Sequence, residues 1–204
     1  MSAAPQTDAL TPPRLTTGAR RILETAGELF YAHGIHAVGV DTIAAESGIT
    51  KRTLYNRFES KDGLVVAYLQ FRHDAWWQRL ESRLEHLGDG KEASERVMAV
   101  FDSYTLDSQS ADRGCGFINA AAELPDAHPG RAVIRAHKQR VVELISGCLE
   151  DSGIPDPFEL AEHIFLILEG AMVHFGIDGD DRRLRRAREL VSRQIGRASC
   201  RERV

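Results

Sequence analysis

Three basic residues lie within one short polar segment, "GITKRTLYNRF" at residues 48–58. Lys51, Arg52 and Arg57 alternate there with hydroxyl, amide and aromatic side chains. Arginine can bind both acceptors of a guanine edge, asparagine can bind adenine, and threonine offers a hydroxyl and a methyl group. An exposed helix with these residues would suit the phosphates and base edges of duplex DNA. An ordinary solvated helix face would have a similar composition.

The residues on either side of this segment are spaced as in a helix-turn-helix. The apolar pattern predicts a short helix at Asp41–Ser47, N-capped by its first residue, and a second helix at Lys51–Phe58, N-capped by Thr50. Between the two helices, Gly48 can adopt the positive φ that a tight turn requires. Ala44, four residues earlier, is small enough to let two helices cross closely.

Ile49 and Leu54 then hold the second helix against the first, which turns the polar residues of the second helix outward. Lysine, tyrosine and threonine side chains suit phosphate contacts, which position a protein on DNA without reading its sequence. We therefore expect an interface with double-stranded DNA. Its predicted residues are Thr42, Thr50, Lys51, Arg52, Thr53, Tyr55, Asn56 and Lys61.

Helical spacing of apolar residues dominates the whole chain, and no stretch alternates like a half-buried strand. Separators rich in Gly, Pro and Asp divide this pattern. They predict an all-α fold in which a long fourth helix, N-capped by Ser60 and ending near Leu87, joins a three-helix N-terminal unit to a larger helical bundle. The later helices are predicted at about 91–108, 116–124, 129–150, 157–176 and 181–194.

The composition is that of a soluble globular protein, with 43% hydrophobic and 27% charged residues among 204. The N-terminus lacks the cationic start and apolar core of a secretory signal. Because it has two prolines in tandem and few apolar residues, residues 1–15 are expected to form a disordered arm. The longest uninterrupted apolar run, Ile164–Leu168, is too short to cross a bilayer. Three cysteines without ligand spacing favour a reducing compartment. We therefore predict a cytoplasmic protein with no membrane partner.

The net charge of −4 is unevenly distributed. Residues 14–72 contain eight Lys/Arg and six Asp/Glu, whereas residues 73–204 contain eighteen Lys/Arg and twenty-three Asp/Glu. An anionic partner is therefore expected to meet the N-terminal third. The basic run at 182–188 contains an apolar stripe, so we interpret its arginines as the solvated face of the last helix.

The N-terminal quarter resembles the TetR (tetracycline-repressor-like) family of transcriptional regulators over about residues 18–66. The motifs that carry this resemblance are "IAAESGI", "LYNRF" and "SKDGL", preceded by the helix ending A-x-x-L-F-x-x-H-G at residues 26–34. The resemblance implies a helix-turn-helix DNA-binding domain at residues 16–62 and a helical ligand-binding and dimerisation domain at residues 63–194.

The resemblance also implies roles for individual residues. Lys51 and Tyr55 would hold phosphates, and Thr42 would touch phosphate from the first helix of the motif. Arg52, Thr53 and Asn56 would approach bases, and Lys61 would anchor the fourth helix on the DNA backbone. The implied function is a sequence-specific, ligand-responsive repressor that acts as a homodimer on a palindromic operator.

The segment at 158–176 is apolar almost all the way round, so it needs cover on two sides. One side can pack within its own bundle and the other can meet a second copy of the chain, although a wholly buried central helix would have the same pattern. Proteins of the TetR family usually dimerise through their last two long helices. The predicted interface residues are Ile164, Leu168, Ala171, Met172, Phe175, Leu184 and Val191.

Aromatic residues between the fourth and seventh helices are candidates for a small-molecule pocket, because such pockets are mostly apolar. The same spacing is also typical of ordinary core residues. The candidates are Phe71, Trp76, Phe101, Tyr104 and Phe117. The sequence does not identify the effector that such a pocket would bind.

Catalytic and metal-binding patterns are weak. The histidines are scattered, and Glu159 with His163 makes a lone pair on one helix face, so we predict no enzyme, no metal site and no cofactor. Cys115 lies in a Gly-rich turn and is a candidate oxidation sensor, but the sequence places no second cysteine to form a disulfide with it.

The alternative function is a helical binding or catalytic protein that uses its helix-turn-helix for protein contact. Residues 195–204, "IGRASCRERV", break the preceding pattern, and we interpret them as a non-native tail.

Overall fold

The computed structural model describes residues 9–10, 15–88, 92–107 and 113–201. Within these residues the chain forms nine α-helices and no strand, which confirms the predicted all-α class. The first four are α1 (Thr17–His33), α2 (Val40–Ser47), α3 (Lys51–Phe58) and α4 (Lys61–Leu87). The remaining helices are α5 (Ala93–Asp107), α6 (Gly116–Glu123), α7 (Gly130–Glu150), α8 (Pro157–Asp178) and α9 (Arg182–Arg201).

Side-chain caps set several helix starts. The hydroxyl of Thr50 accepts a hydrogen bond from the Thr53 amide at 3.2 Å, and the hydroxyl of Ser60 accepts one from the Gly63 amide at 2.9 Å, so both predicted caps are confirmed. The predicted cap at Asp41 is wrong. Helix α2 starts one residue earlier, after Gly39, and no side chain caps it.

The helices form two compact units. The first contains the described part of Met1–Ala75 together with Gly116–His137. The second contains the described parts of Trp76–Cys115 and Lys138–Val204. The predicted division of the chain after residue 62 follows the helix-turn-helix motif and stays a prediction, whereas the compact units divide the chain within α4 and α7.

The core of the first unit forms around α1. Ile22, Leu23 and Ala26 are fully buried on one face of this helix, as their spacing predicts. Ile43 of α2 and Leu54 of α3 are also fully buried. These side chains hold the two short helices in place against α1, so the polar residues of α3 remain outside the core.

In the second unit, α8 packs against α9. The apolar stripe of α9 runs through Leu184, Ala187 and Val191 and continues to Ile195, which is buried. Because of this stripe, α9 continues to Arg201, and the predicted helix end at residue 194 is wrong. The proposal that residues 195–204 are non-native stays untested.

Helix α8 also has the length and composition of a membrane span. Its most apolar window of 18 residues has a mean hydropathy of 1.4, and a third of that window is buried in the chain. The sequence prediction considered only the uninterrupted run Ile164–Leu168 and so underestimated the apolar length of the helix. The indication is weak, because core helices of soluble proteins meet the same criterion.

Candidate nucleic-acid interface

The turn between α2 and α3 depends on Gly48. Its backbone has φ +64° and ψ 23°, in the left-handed region that favours glycine. The amide of Gly48 donates to the carbonyl of Ala45, and the amide of Ile49 donates to the carbonyl of Ala44, both at 3.2 Å. These bonds close α2 as a C-terminal cap and redirect the chain into α3. The predicted glycine turn is therefore confirmed.

Helix α3 has one buried face and one exposed face. Leu54 and Phe58 are buried, so they fix the rotation of the helix about its axis. The predicted DNA-contacting residues of α3 and its cap are all exposed, and Tyr55, a large aromatic residue, is 40% exposed. Thr42 of α2 is exposed as well, and Lys61 at the start of α4 is half-buried. All eight predicted DNA-contacting residues therefore keep solvent-accessible side chains: Thr42, Thr50, Lys51, Arg52, Thr53, Tyr55, Asn56 and Lys61.

Thr50 and Thr53 interact with each other as well as with the backbone. Their hydroxyl oxygens are 2.8 Å apart, and the Thr50 hydroxyl also accepts from the Thr53 amide. Thr50 therefore orders the first turn of α3, while its contact with Thr53 limits the rotamers of that side chain. Preorganised side chains lose less conformational entropy when they bind.

An ion pair that the sequence analysis missed lies within this interface. Lys51 Nζ is 2.8 Å from Asp41 Oδ1, and both side chains are largely exposed. The hydrogen bond to Asp41 raises the pKa of Lys51 above its ordinary value. Asp41 therefore holds the ammonium group charged and in place, and it would compete with a DNA phosphate for that group. No local spacing rule joins residues ten positions apart on different helices.

The five predicted pocket residues are divided between the two compact units. Phe71 and Phe117 belong to the first unit, where Phe71 is half-buried and the Phe117 ring stacks on His137 at 4.0 Å. Trp76, Phe101 and Tyr104 belong to the second unit and are buried there. The Trp76 and Tyr104 rings meet edge to face at 5.3 Å. A pocket that all five line stays a prediction.

The second unit also contains a buried polar cluster. Lys138 Nζ lies 2.7 Å from Glu169 Oε1, donates to Cys115 Sγ at 3.3 Å, and lies 5.1 Å from the centre of the Tyr104 ring. Burial by itself lowers the pKa of Lys138, but its electrostatic interactions with the neighbouring Cys115, Tyr104 and Glu169 side chains raise that pKa above its ordinary value. The lysine therefore stays charged inside the unit. The oxidation sensing that the sequence suggests for Cys115 stays a prediction.

The seven residues predicted at a dimer interface are all buried within the chain. Because the chain itself covers these side chains, they are core residues, which corrects the prediction that they contact a partner. They are Ile164, Leu168, Ala171, Met172, Phe175, Leu184 and Val191.

The opposite face of α8 is exposed and apolar. Phe158, Leu166, Val173 and Ile177 lie there, each at least 40% exposed, and the spacing of the last three, at seven and four residues, places them on one stripe. Leu190 of α9 is also exposed. We call these five residues the α8 surface. Since α8 is apolar on both faces, its sequence pattern did not show which face the chain covers.

The arginines at the start of α9 are exposed and interact with nearby carboxylates. Arg183 pairs with Asp178 and Arg185 pairs with Asp181. Leu184 between them is buried. The interpretation of this basic run as a solvated helix face is therefore confirmed. Among the residues that the structure describes, no group of three or more His, Cys, Asp or Glu side chains could hold a metal ion.

Two family models match the chain. Residues 22–68 match the model described as bacterial regulatory proteins, tetR family, and residues 93–191 match the model of the tetracyclin repressor-like C-terminal domain. The chain is similar to SCO4454, a TetR-family transcriptional regulator from Streptomyces coelicolor, with 32% identity and a TM-score of 0.74. That match covers 89% of this chain and 94% of the solved structure.

Curated relatives match over shorter segments. The transcriptional activator FasR of Mycolicibacterium smegmatis is 36% identical over 99 residues, which are 47% of this chain and 45% of that protein. The transcriptional repressor NemR of Escherichia coli K12 is 26% identical over 134 residues, which are 64% of this chain and 66% of that protein. The matched segment therefore spans less than half the length of FasR, and the two relatives are named for opposite effects on transcription.

Proposed function

This chain belongs to the TetR family of bacterial regulatory proteins, and we propose that it is a homodimeric, ligand-responsive repressor that binds a palindromic operator. Membership of the family makes it a transcriptional regulator with a DNA-binding helix-turn-helix, and not an enzyme. The assembly, the response to a ligand and the direction of regulation are the proposed parts. We also infer that the protein acts in the cytoplasm, where its DNA partner lies.

The exposed polar face of α3 is the observation that carries the DNA-binding proposal. Leu54 and Phe58 face inward, so Arg52 and Asn56 face outward with long side chains that can reach base edges. Recognition helices of this motif lie in the major groove with their N-terminal residues on the bases. Lys51, at the first position of α3, suits the adjacent phosphates.

The α8 surface supports a homodimer. Four of its five apolar side chains lie on the exposed side of the long helix α8 and the fifth, Leu190, lies on α9, and a second copy of the chain could cover them by two-fold symmetry. Dimerisation would also serve DNA binding, since one recognition helix reads few base pairs and two would read both halves of a palindrome. Such a dimer represses when its site overlaps the sequence that RNA polymerase must occupy.

The buried Lys138–Glu169 pair supports a response to a ligand. It places a charged group among aromatic rings in the second unit, and a few polar groups in apolar surroundings are typical of small-molecule sites. A ligand that binds one conformation of the dimer better than the other would shift the separation of the two recognition helices.

Selection of bound fragments from the source genome, followed by affinity measurements on the selected operator, tests this proposal. We expect Arg52→Ala to weaken operator binding by about 1–3 kcal/mol and to relax preference at one base pair. The matched control is Arg135→Ala, which removes an exposed arginine of α7. The affinity of the unmodified protein should fall steeply with salt, because several counterions are released. Equal operator binding by Arg52→Ala and the control would refute the assigned face.

A further inference from the structure

Arg21 of α1 lies against the turn of the helix-turn-helix. A Cβ atom placed on Gly48 would be 2.9 Å from Arg21 Nη2 and 3.7 Å from Arg21 Cζ, so the guanidinium group packs directly on this glycine. The first turn of α1 lies on the same part of the motif, since a Cβ atom on Gly18 would be 3.9 Å from Ile49 Cδ1. The guanidinium group is therefore placed just ahead of Thr50, the N-cap of the recognition helix α3.

The charge of Arg21 is accessible and is not neutralised within the chain. The side chain is exposed, and none of the residues that the structure describes forms an ion pair or a hydrogen bond with it. Lys51, the first residue of α3, is instead paired with Asp41. Arg21 therefore keeps its guanidinium donors available for an acceptor from outside the chain.

The position of this group favours a phosphate over a base edge. Recognition helices of this motif enter the major groove with their N-terminal residues on the bases, and the sugar-phosphate backbones form the edges of that groove. Arg21 belongs to α1 and lies beside the turn, outside α3. Its guanidinium group would therefore meet an edge of the groove, where it can donate parallel hydrogen bonds to one phosphate.

We propose that Arg21 is a further DNA contact, which binds one backbone phosphate at the edge of the major groove that α3 enters. The contact rests on the proposed function, because it requires the exposed face of α3 to meet DNA. Like other phosphate contacts, it positions the protein and carries no base preference. Spacing along the sequence did not reveal it, because α1 and the turn come together only in the folded unit.

Arg20 provides a matched control one residue away. It is also exposed, but its guanidinium group lies over the Phe71 ring of α4, with Cζ 5.7 Å from the ring centre. Consecutive residues of a helix point about 100° apart, so the two arginines reach different sides of α1. Arg20→Gln and Arg21→Gln remove the same charge from the same helix. A difference between them therefore reports a local contact and not the net charge.

Affinities for the selected operator and for an unrelated duplex, each measured over a range of salt concentrations, test the contact. Arg21→Gln should weaken binding to both duplexes about five- to tenfold, because a charge-assisted contact is lost. Its plot of log affinity against log salt should be less steep by about one, since one fewer counterion is released. Arg20→Gln should bind like the unmodified protein. Arg21→Lys should keep the salt slope and lose only part of the affinity, because lysine keeps the charge without the planar donor group.

Single methylphosphonate substitutions in the operator, each of which replaces a charged phosphate oxygen by a methyl group, locate the partner of Arg21. At one phosphate of each half-site, the substitution should weaken binding of the unmodified protein about five- to tenfold and have little effect on Arg21→Gln. Such non-additive losses identify groups in contact, whereas a merely structural role of Arg21 would give additive losses at every phosphate.

Equal losses in the two glutamine variants, an unchanged salt slope, or additive losses throughout the operator would overturn the proposal. A loss confined to the operator would make Arg21 a base contact and would overturn it as well. The urea midpoint checks that Arg21→Gln folds, and Arg21→Lys with the methylphosphonate series carries the test if it does not. An unmodified protein that binds no duplex would refute the proposed function too, whereas DNA binding that Arg21→Gln leaves unchanged would refute this inference alone.

Discussion

The exposed apolar face of α8 provides the most direct test of the assembly. Leu166 is 64% exposed within the chain, and full burial of a leucine side chain contributes about 1.5–3 kcal/mol. Covering its exposed part would therefore contribute about 1–2 kcal/mol per copy. In a two-fold interface the residue counts twice, which gives about 2–4 kcal/mol. This corresponds to a change of roughly 30- to 700-fold in the dimer dissociation constant.

The perturbation is Leu166→Glu, which removes the apolar contact and adds the cost of desolvating a carboxylate. Sedimentation equilibrium over a range of concentrations should show a dissociation constant raised by at least the factor above. Because Leu166 is exposed in the isolated chain, the helical content of the variant should be unchanged. Operator affinity should fall in parallel, since a monomer presents one recognition helix instead of two.

Two further variants separate the possible causes. Gln78→Glu adds the same charge at an exposed position of α4 and should leave the dimer unchanged. Leu166→Ala removes the apolar contact without a charge and should weaken the dimer in the same direction as Leu166→Glu. A Leu166→Glu variant with the dissociation constant of the unmodified protein would show that the α8 surface does not form the interface.

Three other predictions concern the turn, the ion pair at the DNA interface and the buried cluster. Gly48→Ala should lower the unfolding free energy, measured by urea titration, by about 1–2 kcal/mol, because an L-residue pays about that cost in the left-handed conformation of Gly48. An unchanged urea midpoint would contradict this strain argument. Asp41→Asn should strengthen operator binding several-fold at low salt, because no carboxylate then competes with the DNA phosphate for the Lys51 ammonium group. Weaker operator binding would show instead that Asp41 positions the lysine for the phosphate. Glu169→Gln should destabilise the chain by about 3 kcal/mol, because it removes the carboxylate that lies 2.7 Å from the buried Lys138 ammonium group. The double variant Lys138→Met with Glu169→Leu should recover most of the loss. A single variant within 1 kcal/mol of the unmodified protein would rule out that account of the pair.

The helix-turn-helix could be predicted because its signals are local. Gly48 ends α2 through its own backbone conformation, and Thr50 caps α3 through its own hydroxyl. Leu54 and Phe58, four residues apart, share the buried side of α3 and leave the polar side outside. The exposed face of α3 therefore follows from spacing in a single helix. The wrong prediction that Asp41 caps α2 also rested on local spacing, but the Asp41 side chain pairs with Lys51 of the next helix instead.

The sequence by itself determined the helices, the turn and the outward face of α3, since capping, glycine conformation and helical spacing act within a few residues. Only the tertiary structure decided which side of α8 is covered, because a helix that is apolar on both faces has no periodic signal to separate them. It also decided the partners of Asp41 and Lys138, which lie on other elements of the chain. Their charges and hydrogen bonds depend on distances in space, and spacing along one helix does not report those distances.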